Sequence, residues 1–353
     1  MMQLEPGLTI RQYTLEGRLG SGASGEVWRA HDGTQTVAMK FMNEQLVNNA
    51  AADQYRDQLQ AEITALGRLR HPHIPALLGH DLAFARPYLV MQVVEGQPYD
   101  RLIAGGEIFT VELERRLVAL ADIASAVAAC HAAGIIHRDI KPAHISGIDE
   151  AYLLDFSVAL ERTRLGAARA QVGTALYMPP LGEPPDELRD HYSFALAAYE
   201  ILFGRHAIFN LEDTGSSGDD LRALAAERLW ERTWRLPSRI ARPELPGDLY
   251  GADLDLLDGI FERALGPRAG RYADLNRFVS DLRGAILMPS NQPYLDNPLR
   301  LAFRPTFSAP PIPAEESYTL NEVARSVRDT DHARRTRPRS WRAWLRLALG
   351  RGG

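Results

Sequence analysis

Several short stretches of this chain combine residue types suited to handling phosphate. The first is Gly20-Ser21-Gly22-Ala23-Ser24-Gly25-Glu26-Val27. Glycines let a backbone close over phosphates and turn its amides toward them as donors. The G-x-G-x-x-G spacing is weak alone, since a glycine-rich surface turn explains it as well. A dinucleotide-binding version would follow one strand and open a helix. Here the β-formers Val27 and Trp28 follow, so the pattern predicts a hairpin lid. The second stretch is Val37-Ala38-Met39-Lys40. A lysine on a strand facing such a lid can contact α- and β-phosphates if a counter-charge holds it. Glu62, in Gln60-Ala61-Glu62-Ile63-Thr64-Ala65-Leu66, is the candidate. A surface lysine and a solvated glutamate are the plain alternative. Two further stretches are Ile135-Ile136-His137-Arg138-Asp139-Ile140-Lys141-Pro142-Ala143-His144 and Leu153-Leu154-Asp155-Phe156-Ser157.

These residues need elements to position them. Residues 13–42 alternate as strands around the glycine cluster. Leu59, Ile63, Leu66 and Leu69 recur at three and four, which predicts a helix over 52–70 stopped by His71-Pro72. Tyr88 to Val94 is a run of β-formers ending at Glu95-Gly96, as a buried strand would. Val111 to Ala133 predicts a long apolar helix closed by Gly134. Beyond residue 190 the pattern is helical. A strand-rich start and a helix-rich remainder predict two unequal lobes.

Taken in order, the stretches resemble the signature set of the eukaryotic-type (Hanks-type) protein kinases, in their bacterial serine/threonine form. Gly173-Thr174-Ala175-Leu176-Tyr177-Met178, Asp190-His191-Tyr192-Ser193-Phe194-Ala195 and Arg271-Tyr272 extend the match over residues 13 to about 287. The resemblance implies an α+β bilobal kinase fold, with a β-rich N-lobe over about 13–93 and a helical C-lobe over about 94–287. It implies ATP-dependent phosphorylation of protein Ser/Thr residues, with Asp139 as catalytic base and Lys141 on the γ-phosphate. Lys40 and Glu62 then hold the α- and β-phosphates. Leu19, Gly20, Ser21, Gly22, Gly25, Val27 and Ala38 line the nucleotide from above. Met91 stands at the gatekeeper position, with Val93 in the hinge. Asp155 binds the metal, Mg²⁺ or Mn²⁺. Arg138 is the arginine that can receive an activation-segment phosphate, and Thr163 is the candidate to carry it. Thr174 is expected to pack beside Lys141 and Asp139.

Four positions depart from the family. His144 replaces an asparagine, and an imidazole is a softer metal donor than an amide oxygen. Ser146 stands where an apolar residue would lie under adenine, with Ile148 as an alternative. Ser157 replaces the glycine of D-F-G, removing backbone freedom. Met178-Pro179-Pro180-Leu181 replaces A-P-E, so Leu181 cannot pair with Arg271, whereas Glu183 can. The rival implied reading is a pseudokinase, a nucleotide-binding scaffold or regulator with little or no turnover. A kinase of small molecules fits the Lys141 pattern less well.

Other residues invite over-reading. His137 is expected to pack on Phe156, and Cys130 and His131 to be core. His71 and His73 flank a helix stop. Trp28 is expected to cover the glycine lid, and Trp230 with Trp234 to form the buried stripe of one helix.

The chain of 353 residues is 45% hydrophobic and 24% charged, with one cysteine, and its net charge is −5. These figures exclude a disordered chain, a collagen and a disulfide scaffold, and offer no reason to expect nucleic-acid binding. Neither an export signal nor a spanning segment is evident, so the expected compartment is the cytoplasm. Prolines at 289, 293, 298, 305, 310, 311 and 313 predict a linker over 288–330. From Arg334 onward there are seven arginines and no acid, so this end carries +7 and the rest −12. Within the 331–353 tail, Trp341, Trp344, Leu345 and Ala348 share one helical stripe and Arg339, Arg342 and Arg346 another. Residues 339–349 therefore suit docking on a protein or peripherally on the inner face of a membrane.

Overall fold

The computed structural model describes residues 3–22, 25–47, 52–147, 149–163, 172–210, 213 and 216–287. The chain divides into two units, Met1–Leu299 and Arg300–Gly353, and every described residue belongs to the first. The linker, the tail and Ile148 lie outside the described residues.

The fold is bilobal. The N-lobe is an antiparallel sheet in the order β1-β2-β3-β4-β6-β5. Its strands are β1 (Thr9–Ile10), β2 (Tyr13–Gly22), β3 (Gly25–His31), β4 (Thr36–Met42), β5 (Leu77–Asp81) and β6 (Tyr88–Gln92). Between β4 and β5 run a single turn, α1 (Glu44–Val47), and α2 (Ala52–Arg68). Facing residues of paired strands share a side of the sheet. Val27 faces Lys40, Lys40 faces Leu89 and Ala38 faces Met91, so these five share one side. Trp28 faces Met39, on the other side.

That second side is the N-lobe core, built from Trp28, Val37, Met39, Phe41, Tyr88 and Val90 with Leu4, Ile10, Tyr13 and Leu15. This corrects the expectation for Trp28: it belongs to the core side, because its parity along β3 is opposite to that of Val27. Leu89 instead packs with Leu59 and Ile63 of α2. The helix buries Leu59, Glu62, Ile63, Ala65 and Leu66, so Glu62 sits in an apolar stripe at helical spacing.

The C-lobe begins with α3 (Tyr99–Ala104) and α4 (Leu113–Ala132), followed by the short strands β7 (Ile135–Ile136), β8 (Ile145–Ser146), β9 (Tyr152–Leu153) and β10 (Leu160–Glu161). β8 pairs with β9 and β7 with β10, so the loop between β7 and β8 and the segment between β9 and β10 are each pinned at both ends. The remainder is α5 (Glu187–Phe203), α6 (Gly218–Trp230), α7 (Leu254–Leu265) and α8 (Leu275–Leu287). α5 is buried over nearly its whole length and is capped by the Asp186 side chain, which accepts from the Leu188 amide.

Trp230 and Trp234 do not share a helix face. α6 ends at Trp230, which is 76% exposed, and the chain reverses through Arg232 at φ 53°. Trp234 is buried on the far side of the turn, edge-on to Tyr199. Cys130 is buried. Among the described residues no helix is long and apolar enough to cross a membrane.

Candidate active site

Lys40 is buried on β4 and donates from Nζ to both Glu62 oxygens at 2.8 Å and to Asp155 Oδ1 at 2.7 Å. Burial alone would lower the lysine pKa, but Asp155 and Glu62 outweigh it and raise it. Burial likewise opposes ionisation of Asp155, yet the Lys40 ammonium holds it well below the usual carboxylate range. Asp155 has a left-handed backbone (φ 60°), and among non-glycine described residues only Arg11, Arg138 and Arg232 share that sign. Ser157 takes no such φ and donates its amide to Asp155 Oδ1 at 3.2 Å. A serine is therefore accommodated here without backbone strain.

Above Lys40, β2 and β3 form the expected hairpin, with Gly20 facing Val27, Ser21 facing Glu26 and Gly22 facing Gly25. Gly25 is required, because a Cβ there would lie 1.9 Å from the Phe41 carbonyl oxygen. Leu19 is 45% exposed on the lid. Arg86, from the turn before β6, fastens the lid base: it donates to Glu26 at 2.5 Å and to the Met42 carbonyl at 2.8 Å. Met91 and Val93 are half-buried at the end of β6 and just beyond it.

The loop after β7 carries Asp139. Its Oδ2 accepts from Lys141 Nζ at 2.8 Å, and its Oδ1 accepts from the Thr174 amide at 2.7 Å. Lys141 Nζ also donates to Thr174 Oγ1 at 2.6 Å, as expected. Burial would raise the Asp139 pKa, but Lys141 and Thr174 lower it, so the carboxylate is ionised at neutral pH. Thr174 reaches Asp139 because Gly173 (φ 116°) lets the chain approach closely. A Cβ on Gly173 would stand 2.4 Å from the Arg138 carbonyl oxygen.

Asp190 grips this loop from behind. Fully buried in the first turn of α5, it accepts from the His137 amide at 2.8 Å and the Arg138 amide at 2.7 Å, and bonds His131 Nε2 at 2.9 Å. Sequence reasoning noted Asp190 only as part of a matching stretch and gave it no role. Its signal was an acid opening a helix otherwise rich in apolar residues. Arg86, and the pair of Tyr177 with buried Glu200, carried no sequence signal. Tyr177 donates to both Glu200 oxygens at 2.9–3.0 Å, and burial pushes Glu200 up to about 7.

His137 packs edge-on to Phe156 with ring centroids 4.8 Å apart. Glu183 takes over from Leu181: both its oxygens accept from the Arg271 guanidinium at 2.6 Å. Ser146 is buried and donates to the Gly96 carbonyl at 3.3 Å, so its hydroxyl is satisfied beside the hinge. Arg138 is buried, while Thr163 is exposed at the edge of the described segment. Residues 164–171, between Thr163 and Val172, lie outside the described residues.

His144 lies between the two carboxylates. Nδ1 is 2.8 Å from the Asp139 carbonyl oxygen, and Nε2 is 3.4 Å from Asp155 Oδ2. Among the described residues no group of three or more His, Cys, Asp or Glu side chains could hold a metal by itself. Asp155 and His144 offer two donors, which suits an ion whose remaining ligands are substrate phosphates and water.

Residues 13–275 match the model of the protein kinase domain. The chain is similar to serine/threonine-protein kinase PknH of Mycobacterium bovis, 33% identical over 210 residues, covering 56% of this chain and 34% of the relative. It is 33% identical over 219 residues to PkaB of Streptomyces coelicolor, with 55% and 49% covered, and 28% identical over 302 residues to Pkn1 of Myxococcus xanthus, with 79% and 39% covered. The chain thus spans between a third and a half of the length of these relatives. The crystal structure of the PknI kinase domain from M. tuberculosis shares the fold at TM-score 0.55 and 22% identity, with 81% of this chain and all of that one covered. The family model runs from the first long strand of the N-lobe to the start of α8, across every stretch that builds the cleft, and the chain belongs to the protein kinase domain family.

Proposed function

We propose that this chain transfers the γ-phosphate of ATP to serine or threonine hydroxyls of protein substrates. The family uses ATP with a divalent metal ion. Phosphoryl transfer asks a protein mainly for positioning and charge neutralisation. In this reading Asp139 accepts the substrate hydroxyl proton, and Lys141 neutralises the γ-phosphate. Lys40, steadied by Glu62, meets the α- and β-phosphates. The lid from Leu19 to Val27 covers the phosphates, and Ala38, Met91 and Val93 border the adenine. Asp155 and His144 hold the cation, Mg²⁺ or Mn²⁺, which neutralises charge on the phosphates when bound.

One observation carries this reading. Lys40 Nζ is bonded at once to Glu62 of the N-lobe helix and to Asp155 of the C-lobe segment. A buried ammonium that joins carboxylates of both lobes supports the reading, since its burial carries a desolvation cost.

The kinase domain is proposed to span 13–287, followed by the 288–330 linker and the basic 331–353 tail. The 339–349 stretch is proposed to hold a cytoplasmic enzyme at an anionic membrane face or on a partner protein. Phosphate on Thr163 would bring a charge of about −1.5 to −2 next to Arg162, on the same loop system as Arg138.

The test is incubation of the full chain with γ-labelled ATP, a generic acceptor protein and Mg²⁺ or Mn²⁺. Label on serine or threonine that Asp139→Asn abolishes is expected, at rates at or below ~1–100 s⁻¹. No transfer under any of these conditions, or transfer unaffected by Asp139→Asn, overturns the reading. Mass spectrometry of the same samples checks Thr163, which should carry phosphate only when Asp139 is intact.

A further inference from the structure

His144 Nδ1 lies 2.8 Å from the backbone oxygen of Asp139. A carbonyl oxygen only accepts, so Nδ1 carries the hydrogen and, in the neutral ring, Nε2 carries the lone pair. Nε2 faces Asp155 Oδ2 at 3.4 Å. The other oxygen of that carboxylate is engaged, accepting from Lys40 Nζ at 2.7 Å and from the Ser157 amide at 3.2 Å. A nitrogen lone pair and an anionic oxygen therefore face each other beside the phosphate side of the cleft, with the imidazole only 14% exposed.

Lys40 Nζ already meets the other oxygen of this carboxylate, and a cation between Nε2 and Oδ2 would serve both of these donors. A proton shared by an imidazolium and a carboxylate draws the heavy atoms to about 2.7–2.9 Å. Two cis ligands of one cation, each bonded at about 2.1 Å, stand about 3.0 Å apart. The observed 3.4 Å is longer than both, so the imidazole and the carboxylate are not hydrogen-bonded to each other and both atoms stay open to a cation. Oδ2 and Nε2 are also the two atoms in this pair of side chains that protein donors leave available.

We propose that His144 Nε2 is a direct nitrogen ligand of the nucleotide-bound cation, paired with Asp155 Oδ2, its tautomer fixed by the Asp139 carbonyl. This rests on the kinase reading above and deepens it. The family's asparagine would supply a hard oxygen here, whereas imidazole suits transition ions better than Mg²⁺. The site therefore ranks Mn²⁺ above Mg²⁺. The hydrogen bond that orients the ring is also a positioning contact for the loop carrying Asp139, so metal site and catalytic loop are tied through one side chain.

The test uses the full chain, Mn²⁺ and the β,γ-methylene analogue of ATP, which has no bridging nitrogen. Nucleotide binding is measured first, by displacement of a fluorescent nucleotide. Electron spin echo envelope modulation of the bound Mn²⁺ is then recorded with natural-abundance and with [¹⁵N]histidine-labelled protein. Modulation from a directly bound nitrogen that changes with the label is expected, and it should vanish in His144→Asn. In that variant the preference for Mn²⁺ over Mg²⁺ should fall on the order of 10-fold. If the analogue binds with Mn²⁺ but the spectrum shows no histidine nitrogen, the ligand proposal fails while the kinase reading stands. If no nucleotide binds under any metal condition, both fail. Should His144→Asn not fold, His144→Gln and the labelled unaltered protein still decide the matter.

Discussion

In the N-lobe, Lys40 meets Glu62 because strand parity and helix phase turn both toward the cleft. In the C-lobe, Asp139 meets Lys141 and Thr174 because Asp190, fully buried, holds the backbone of the loop that bears it. The N-lobe pair is itself part of the site, and its buried charges face the place where phosphates would lie. The C-lobe's buried charges lie behind the site: Asp190 under the loop, Arg271 on Glu183, and Arg222 donating to the Pro179 and Pro180 carbonyls at 2.9 and 3.1 Å. Regular secondary structure can aim a side chain by periodicity alone, whereas an irregular loop needs side-chain bonds to its backbone.

The largest effect should come from the loop's anchor. Asp190→Ala strands two backbone amides and one imidazole in the interior, and should cost about 3–5 kcal/mol in denaturant unfolding and abolish turnover. A variant that unfolds like the native chain would mean the loop is held by something other than Asp190. Lys40→Met tests the other region. Glu62, whose pKa burial already raises, can take up a proton once its cation is gone, so the chain should stay folded while kcat/KM falls about 10²–10³-fold. Global unfolding of Lys40→Met would erase the distinction between the two lobes.

Glu200 sharpens the comparison through pH. Its folded pKa of about 7 lies above its ordinary 4.5, so the folded state retains the proton where the unfolded state has lost it. The stabilisation is complete below pH 4.5 and is lost as pH rises toward 7, by up to about 3 kcal/mol. Glu200→Gln should flatten this part of a stability-against-pH curve, and an unchanged slope would show that Glu200 ionises normally. Smallest of all, Ser157→Gly should destabilise by at most about 1 kcal/mol, through the unfolded chain, because Ser157 needs no positive φ. A larger loss in thermal unfolding would mean that the serine side chain makes a contact of its own.

Family membership, the bilobal order of strands and helices, and the meeting of Lys40 with Glu62 and of Thr174 with Lys141 and Asp139 were all legible in the linear chain. Short motifs in fixed order survive without coordinates, and alternation at two or at three and four reports which side of an element is buried. Trp28 was misjudged because one residue of parity decides its side of the sheet, and Trp230 because four-residue spacing means nothing once a helix has ended. Only the tertiary structure gave Arg86 to the lid and Asp190 to the backbone of the catalytic loop. These partners are 60 and about 52 residues apart, and no local periodicity couples such distances. The orientation of His144 is of the same kind. The residue is visible in the sequence, but which nitrogen faces Asp155 is settled by a hydrogen bond to the Asp139 carbonyl, which exists only once the loop is folded.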